Sequence, residues 1–443
     1  MTSAYRAFVA VACSPRDRGH ASGALDQAEA ILAAHPHIAT SDIYAAAIVG
    51  DAAALRRFLA GDRGLATKKG GPYEWDALTY LCFSRYLRLD RARAAAFLSA
   101  AEALLDAGAS ASTGWLDETH QPRPVWESAI YGAAGVARHA DLTRLLLERG
   151  ADPNDEETPY HVPETRDNET LAVLVTSGKL TADSLATMLL RKSDWHDEEG
   201  VALLLAAGAD PNRVTRWGKT ALVQAVLRDN ELAIIERLLD HGANPATAWH
   251  GRTLVELAAR RGRGDVLAIL EQHGAGMLLD GPARLIAACA RNDEARVRDI
   301  AGAEPELVSA VRADGAALLS AFAGVGNAAG LRCLLDLGLD AGERVEEGDG
   351  YWDIARDSTA LHVAAWRARH DVVALLIERG APVDAVDAVG RTPLMLAVRA
   401  CVDSYWSDRR SPESVRALLH AGASTRGIQV PSGYDEVDGL LRR

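Results

Sequence analysis

The sequence predicts an all-α protein, a solenoid of stacked helix-turn-helix units, and three observations carry that reading. Gly208-Ala209-Asp210-Pro211-Asn212 returns in worn form as Gly108-Ala109, Gly150-Ala151-Asp152-Pro153-Asn154, Gly242-Ala243-Asn244-Pro245, Gly380-Ala381-Pro382-Val383-Asp384 and Gly422-Ala423. Each copy follows a Leu-Leu or Leu-Ile pair. The spacing is 34 residues from Gly208 to Gly242 and 32 from Gly242 to Gly274. A short unit recurring at a near-fixed interval buries its apolar face only by stacking on its neighbours, so the length of the chain counts units and not domains.

The elements follow in order. Residues 3 to 13 and 23 to 34 form a helical pair that covers the first unit, within an N-terminal cap of residues 1 to 40. The array runs over residues 41 to 424. In a typical unit Thr220-Ala221-Leu222 opens a first helix, Arg228-Asp229-Asn230 turns the chain, and Ile234-Ile235-Glu236-Arg237-Leu238-Leu239 is the second helix, ended at Gly242. Thr caps the first turn, Ala lets the neighbouring unit approach, and Gly takes the left-handed conformation that stops a helix. The intervals Gly108–Gly150, Gly338–Gly380 and Gly380–Gly422 are each 42. The extra lengths fall in finger turns at 115–126 and 343–356, and between helices at 402–412. Pro431-Ser432-Gly433-Tyr434 and the acidic, Leu-ended stretch after it make residues 425 to 443 a C-terminal cap.

Two phrases give the units a family likeness. Thr392-Pro393-Leu394-Met395-Leu396-Ala397 and Thr359-Ala360-Leu361-His362-Val363-Ala364-Ala365 resemble the Thr-Pro-Leu-His-x-Ala phrase of ankyrin repeats, with the turn echoed at Gly390-x-Thr392 and Gly218-x-Thr220. On that template the chain is an ankyrin-repeat solenoid of about eleven helix-turn-helix units with finger turns and helical end caps, the fourth and eighth units being the most degenerate. The resemblance implies a concave groove of first helices and fingers, a protein as the usual ligand, and a His at the fourth place of the phrase that braces finger to helix. A composition rich in Ala, Arg, Asp and Gly is similar to that of bacterial members, and repeat and cap account for the chain.

A net charge of -13 and a pI near 5.5 argue against nucleic acid and anionic membrane as partners. The N-terminal run from Ala4 to Cys13 is too short and weakly charged for a secretory signal, and no apolar run approaches the roughly 20 residues of a membrane span. Cys13, Cys82, Cys289, Cys333 and Cys401 are scattered with no CxxC pair, which reads as reduced thiols of a cytoplasmic protein. A monomer is expected.

The nine tryptophans align with fingers and turns instead of helix cores. Trp offers a large apolar area and one donor at low rotamer cost, which suits recognition hot spots. Trp115, Trp126, Trp217, Trp249 and Trp352 in fingers, Trp366 at the end of a first helix and Trp195 between helices are therefore candidate partner contacts. Trp249 is joined by His250 and Arg252, near Arg260 and Arg261, a basic cluster suited to a carboxylate.

Motifs that carry chemistry are scarce. Trp217-Gly218-Lys219-Thr220 lacks the upstream Gly and the preceding strand of a phosphate loop, and Gly324-Val325-Gly326 with Gly330 has the wrong spacing for a dinucleotide loop. No Gly-x-Ser-x-Gly or His-Glu-x-x-His is present. No catalytic residue, metal set or cofactor is assigned. The least regular stretch is 155–200, where Tyr160-His161 is followed by helix-breaking Pro163, and Ser193-Asp194-Trp195-His196-Asp197-Glu198-Glu199 is inserted after Arg191-Lys192. Stacking would let His161, Glu164, His196 and Asp197 approach one another, with Trp126, Glu127 and Tyr131 supplied by the preceding unit. Such groups can bind a metal or exchange protons. Two functions follow: a non-enzymatic interaction module that binds a protein or extended peptide in the groove and fingers, or an enzyme or small-ligand receptor with a pocket near residues 120–220.

Overall fold

The structure, a computed structural model, describes residues 2–14 and 19–442. It is helical throughout, apart from short finger strands, and divides into two compact units, Met1–Ala225 with Asp240–Ala243 and Val226–Leu239 with Asn244–Arg443. Among the described residues eleven helix pairs follow the N-terminal pair Ser3–Ala12 and Asp26–Ala34, the sixth of them, Ala221–Leu227 and Leu232–Asp240, falling where the chain passes between the units.

The first unit opens with Ser3–Ala12, whose buried Tyr5, Phe8, Val9 and Ala12 keep the i, i+3, i+4, i+7 spacing of one helical face. Thr2 caps it, its side chain accepting from Tyr5 N at 3.2 Å, and Asp26–Ala34 pairs with it. Every residue of Ile43–Val49 is buried, because three consecutive alanines leave room for elements on several sides. Asp42 and Asp51 cap this helix and its partner Ala52–Gly61. The third pair starts with a single α-turn, Ala129–Tyr131, that widens into a π-turn at Gly132–Val136. In the fourth pair Glu157–His161 is only five residues long, and the chain leaves it just before Pro163. The fifth differs from expectation: Ala182–Asp194 continues as helix through Ser193 and Asp194, and Glu198 and Glu199 already open the next helix, so of the inserted residues only Trp195–Asp197 turn.

The second unit continues the pattern through Leu254–Arg260 with Gly264–Gln272, and ends in Pro393–Asp403 with Glu413–His420. An unanticipated helix, Pro305–Ala313, sits between the eighth and ninth pairs. Sequence spacing conceals it because it enters as a third helix and not as an extra finger. It is bent by 77° from Gly315–Val325, and no single helix among the described residues is long and apolar enough to cross a membrane. The long finger folds back through bridges between Arg344 and Thr359 and between Asp349 and Ile354. His362 braces its helix as the repeat phrase implies: its Nδ1 accepts from Thr359 N at 3.1 Å, and its Nε2 lies 3.1 Å from the carbonyl of Arg391. Asp435–Leu441 closes the described chain, with Val437 buried. All five cysteines are buried, unpaired thiols.

Candidate functional site

The first long finger is a β-hairpin of β1, Gly114–Asp117, and β2, Val125–Ser128, in antiparallel register with Trp115 opposite Glu127 and Leu116 opposite Trp126. Successive strand residues face opposite sides. Trp115, Asp117, Val125 and Glu127 therefore turn inward and are buried, while Leu116 and Trp126 remain 45% and 43% exposed. Asp117 is diagonal to Glu127, within reach across the pair. Its Oδ1 accepts from Thr119 N at 2.8 Å and Thr119 Oγ1 at 2.7 Å.

His20, from the segment between the first two helices, closes over this face. Its ring lies 5.8 Å from Trp115 and 5.7 Å from Tyr131, with Nδ1 3.0 Å from the Tyr131 hydroxyl and 3.8 Å from Glu127 Oε2. Glu127 is fully buried, and neither carboxylate oxygen forms a hydrogen bond with a described residue. Burial first, then the nearby carboxylates of Glu157 and Asp117, push its carboxyl up to about 9. Burial likewise lowers the His20 imidazole below its ordinary value. One ligand atom each from His20, Asp117 and Glu127 lie within 4.8 Å of one another, and no other such group of three His, Cys, Asp or Glu occurs among the described residues.

Tyr131 connects this cluster to His161, the ring centroids being 5.3 Å apart. His161 Nε2 lies 3.0 Å from Glu157 and its Nδ1 2.9 Å from Glu164. Burial opposes charging of the ring, but hydrogen bonds to both carboxylates outweigh it and raise the imidazole to about 9. Burial also opposes ionisation of Glu157 and Glu164, yet His161 holds both below their ordinary value, helped at Glu164 by Arg191. An imidazolium clamped between two carboxylates has no lone pair to offer at neutral pH, so this is an ion triad and not a general base. Arg191 ties Glu164 to Asp194 and lies over the Tyr160 ring at 4.0 Å. Beside the triad is a cavity of about 440 Å³, lined by His120, Arg123, Glu156, Tyr160, Arg216 and Trp217 among others. Arg123 and Arg216 both pair with Glu156, the latter at 3.1 Å, and Arg216 lies over Trp217 at 4.6 Å.

The remaining expected residues scatter. His196 is buried in the turn after Ala182–Asp194, and Trp195 is half-buried there; neither lines the cavity. Asp197 does not join His161 but accepts from Lys192 at 2.6 Å and Asn168 at 3.0 Å and caps the next helix. Trp115 is packed on Trp75 at 4.9 Å. Trp352 and Trp366 are 7% exposed, the Trp366 indole donating to the Trp352 carbonyl at 2.7 Å. These three are interior packing groups, which corrects the expectation that Trp115 and Trp352 in fingers and Trp366 at a helix end face a partner. Trp249 is half-buried under His250, their rings stacked at 4.0 Å. The basic cluster around it is internally neutralised: Arg252 lies 3.4 Å from Glu256, Arg260 2.7 Å from Asp314, and Arg261 pairs with Asp229.

That last pair belongs to a centre in the second unit that sequence reading missed. Asp229, its carboxylate 2% exposed, is held by Arg261 and, at 2.7 Å, by Arg367, 138 residues further along. Arg367 lies over Trp352 at 4.0 Å and Trp406 at 4.8 Å, which are themselves stacked 5.3 Å apart. Burial opposes the charge on Asp229, but the two guanidinium groups keep it well below the usual carboxylate range. No local signal marks Asp229, a turn residue; in the first unit, only the alternation of Trp115, Asp117 and Glu127 hinted at a polar inner face.

The family described as ankyrin repeats (3 copies) matches residues 189–279 and 318–426. The human cyclin-dependent kinase 4 inhibitor B is 41% identical over 107 residues, which is 24% of this chain and 75% of that protein. The chain belongs to the ankyrin-repeat family. Serine/threonine-protein kinase 12 of Arabidopsis thaliana is 42% identical over 85 residues, 19% of this chain but only 17% of the kinase. A putative ankyrin repeat-containing protein of Treponema pallidum is 35% identical over 114 residues, with 38% of that protein covered. Among solved structures, the human ASB11 ankyrin repeat domain aligns over 57% of this chain and 96% of its own at 20% identity, with a TM-score of 0.26. Ankyrin repeats are generally protein–protein interaction modules, and in its first unit this ankyrin chain departs from a plain array at the hairpin and the His161 triad beside it.

Proposed function

We propose that the chain is a non-enzymatic interaction module that binds a protein, as an extended segment, across the finger tips of the first unit. Leu116 and Trp126 on the outer face of the hairpin and Trp217 at the rim of the 440 Å³ cavity serve as apolar anchors, and the cavity takes one side chain of the partner. The exposure of Leu116 and Trp126, at 45% and 43% on a strand pair whose other face is buried, carries this reading. Large apolar groups held outward on a rigid strand pair spare the backbone ordering cost of binding, and an aromatic anchor typically contributes about 2 kcal/mol or more. The five buried, unpaired thiols support a cytoplasmic setting.

A small-molecule receptor is the second reading, favoured by the cavity itself. Its charges speak against an anionic ligand, because Arg123 and Arg216 are engaged with Glu156, and His161 with Glu157 and Glu164. Capture from source cytosol separates the two. The intact chain should retain a protein that Leu116→Ala/Trp126→Ala/Trp217→Ala loses at least tenfold and that Trp249→Ala keeps. Equal retention by the triple variant would refute the finger site, and a retained metabolite with no protein would establish the receptor.

A further inference from the structure

The inner face of the same hairpin carries a different chemistry. We propose that His20, Asp117 and Glu127 form a divalent-metal site in the first unit, taking one Zn²⁺ or a similar first-row ion through an imidazole nitrogen and two carboxylates.

Three features of the geometry point there. The donors come from three separate segments, the stretch after the first helix, β1 and β2, yet their ligand atoms converge within 4.8 Å. Around a tetrahedral ion with bonds of about 2.0–2.2 Å, ligand atoms stand roughly 3.3–3.6 Å apart. Side-chain rotations of about an ångström therefore close this set on an ion. Second, Glu127 is 0% exposed and neither of its oxygens is hydrogen-bonded to a described residue. Buried carboxylates are otherwise satisfied by donors or by a metal, since isolation from both costs several kilocalories. Third, the His20 ring is held against Trp115 and Tyr131, with Nδ1 turned toward Glu127 Oε2 at 3.8 Å and the Tyr131 hydroxyl at 3.0 Å, so an ion would displace that hydroxyl from the nitrogen.

The donor set selects among cations. One nitrogen with carboxylate oxygens and no thiolate suits Zn²⁺ or Mn²⁺, whereas Mg²⁺ prefers an all-oxygen octahedron. With side-chain exposures of 12% for His20 and 0% for Glu127, the ion would be largely enclosed, its three protein ligands leaving one tetrahedral position to water. It would pin the segment after the first helix to both strands and so hold Leu116 and Trp126 outward. The partner proposed above is not assumed.

The test uses the full chain, stripped with chelator and titrated with ZnCl₂ by calorimetry. One equivalent should bind, with weaker binding of MgCl₂, and Glu127→Gln and Asp117→Asn should each lower Zn²⁺ affinity at least tenfold. X-ray absorption at the zinc edge should show nitrogen and oxygen neighbours without sulfur. His20→Ala, placed outside any helix or strand, carries the same expectation should either carboxylate variant fail to fold. No saturable binding, a sulfur shell, or wild-type affinity in the folded variants would overturn the site.

Discussion

At His161 one imidazole is held 3.0 Å from Glu157 and 2.9 Å from Glu164, and its proton affinity becomes a stability term. The folded ring titrates near 9 against an ordinary value of 6.5. Between those values the native state binds more protons than the unfolded chain, so stability falls as pH rises. The contribution is full below about 6.5 and is lost as pH passes through about 9, with a slope of at most about 1.4 kcal/mol per pH unit. Glu127, also raised to about 9, adds a slope of the same sign, so the diagnostic is a difference between proteins. Urea unfolding followed by Trp fluorescence should show stability dropping from pH 6.5 to 9 more steeply in the wild type than in His161→Gln. Parallel pH profiles would mean that the triad is not formed. The same repeat position at His362 accepts from Thr359 N and touches a backbone carbonyl instead, and burial lowers that ring. Identical motif places thus carry opposite charge states, because Glu157 and Glu164 exist in one setting and not in the other.

At the scale of elements, the hairpin is where a tolerated insertion becomes a structure with two unlike faces. Its tight pairing depends on Gly114, where a Cβ would come within 2.3 Å of the Glu127 carbonyl oxygen and 2.9 Å of Ser128 Cα. Both obstacles are backbone, so Gly114→Ala must push the strands apart. A cost of about 1–3 kcal/mol is expected, as for other overpacked sites, with Zn²⁺ affinity weakened together with thermal stability. An unchanged melting temperature would show that the strands separate freely. Gly208 has a different reason to be glycine: with φ 87 and open space around it, it ends the helix Glu198–Ala206 in the left-handed region. The repeating glycines were readable in the sequence because a helix stop is a local matter. The Gly114 contact was not, since it depends on which residue the other strand presents.

For the molecule as a whole, stacking makes stability a sum of units and neighbour interfaces. The C-terminal segment packs back on the last repeat, with Gly427 close to Met395, Gly433 close to Val402, and Glu436 paired to Arg416. We expect removal of residues 425–443 to destabilise the second unit while sparing the first, since nothing beyond nearest neighbours transmits the loss. Hydrogen exchange should show protection falling in Pro393–Asp403 and Glu413–His420 and holding in Ile43–Val49. A uniform fall, or none, would contradict the assignment of this segment as a cap.

The sequence by itself determined the repeating unit, the helix pairs, their glycine stops and the placement of the long fingers, because each rests on periodicity and capping within a few residues of the chain. Tertiary structure alone decided which tryptophans are buried, how Asp229 meets Arg367 across 138 residues, and that His20 joins Asp117 and Glu127. Spacing along a chain specifies which face of a helix or strand a residue occupies, but the charge state and exposure of a side chain depend on the groups that folding brings against that face.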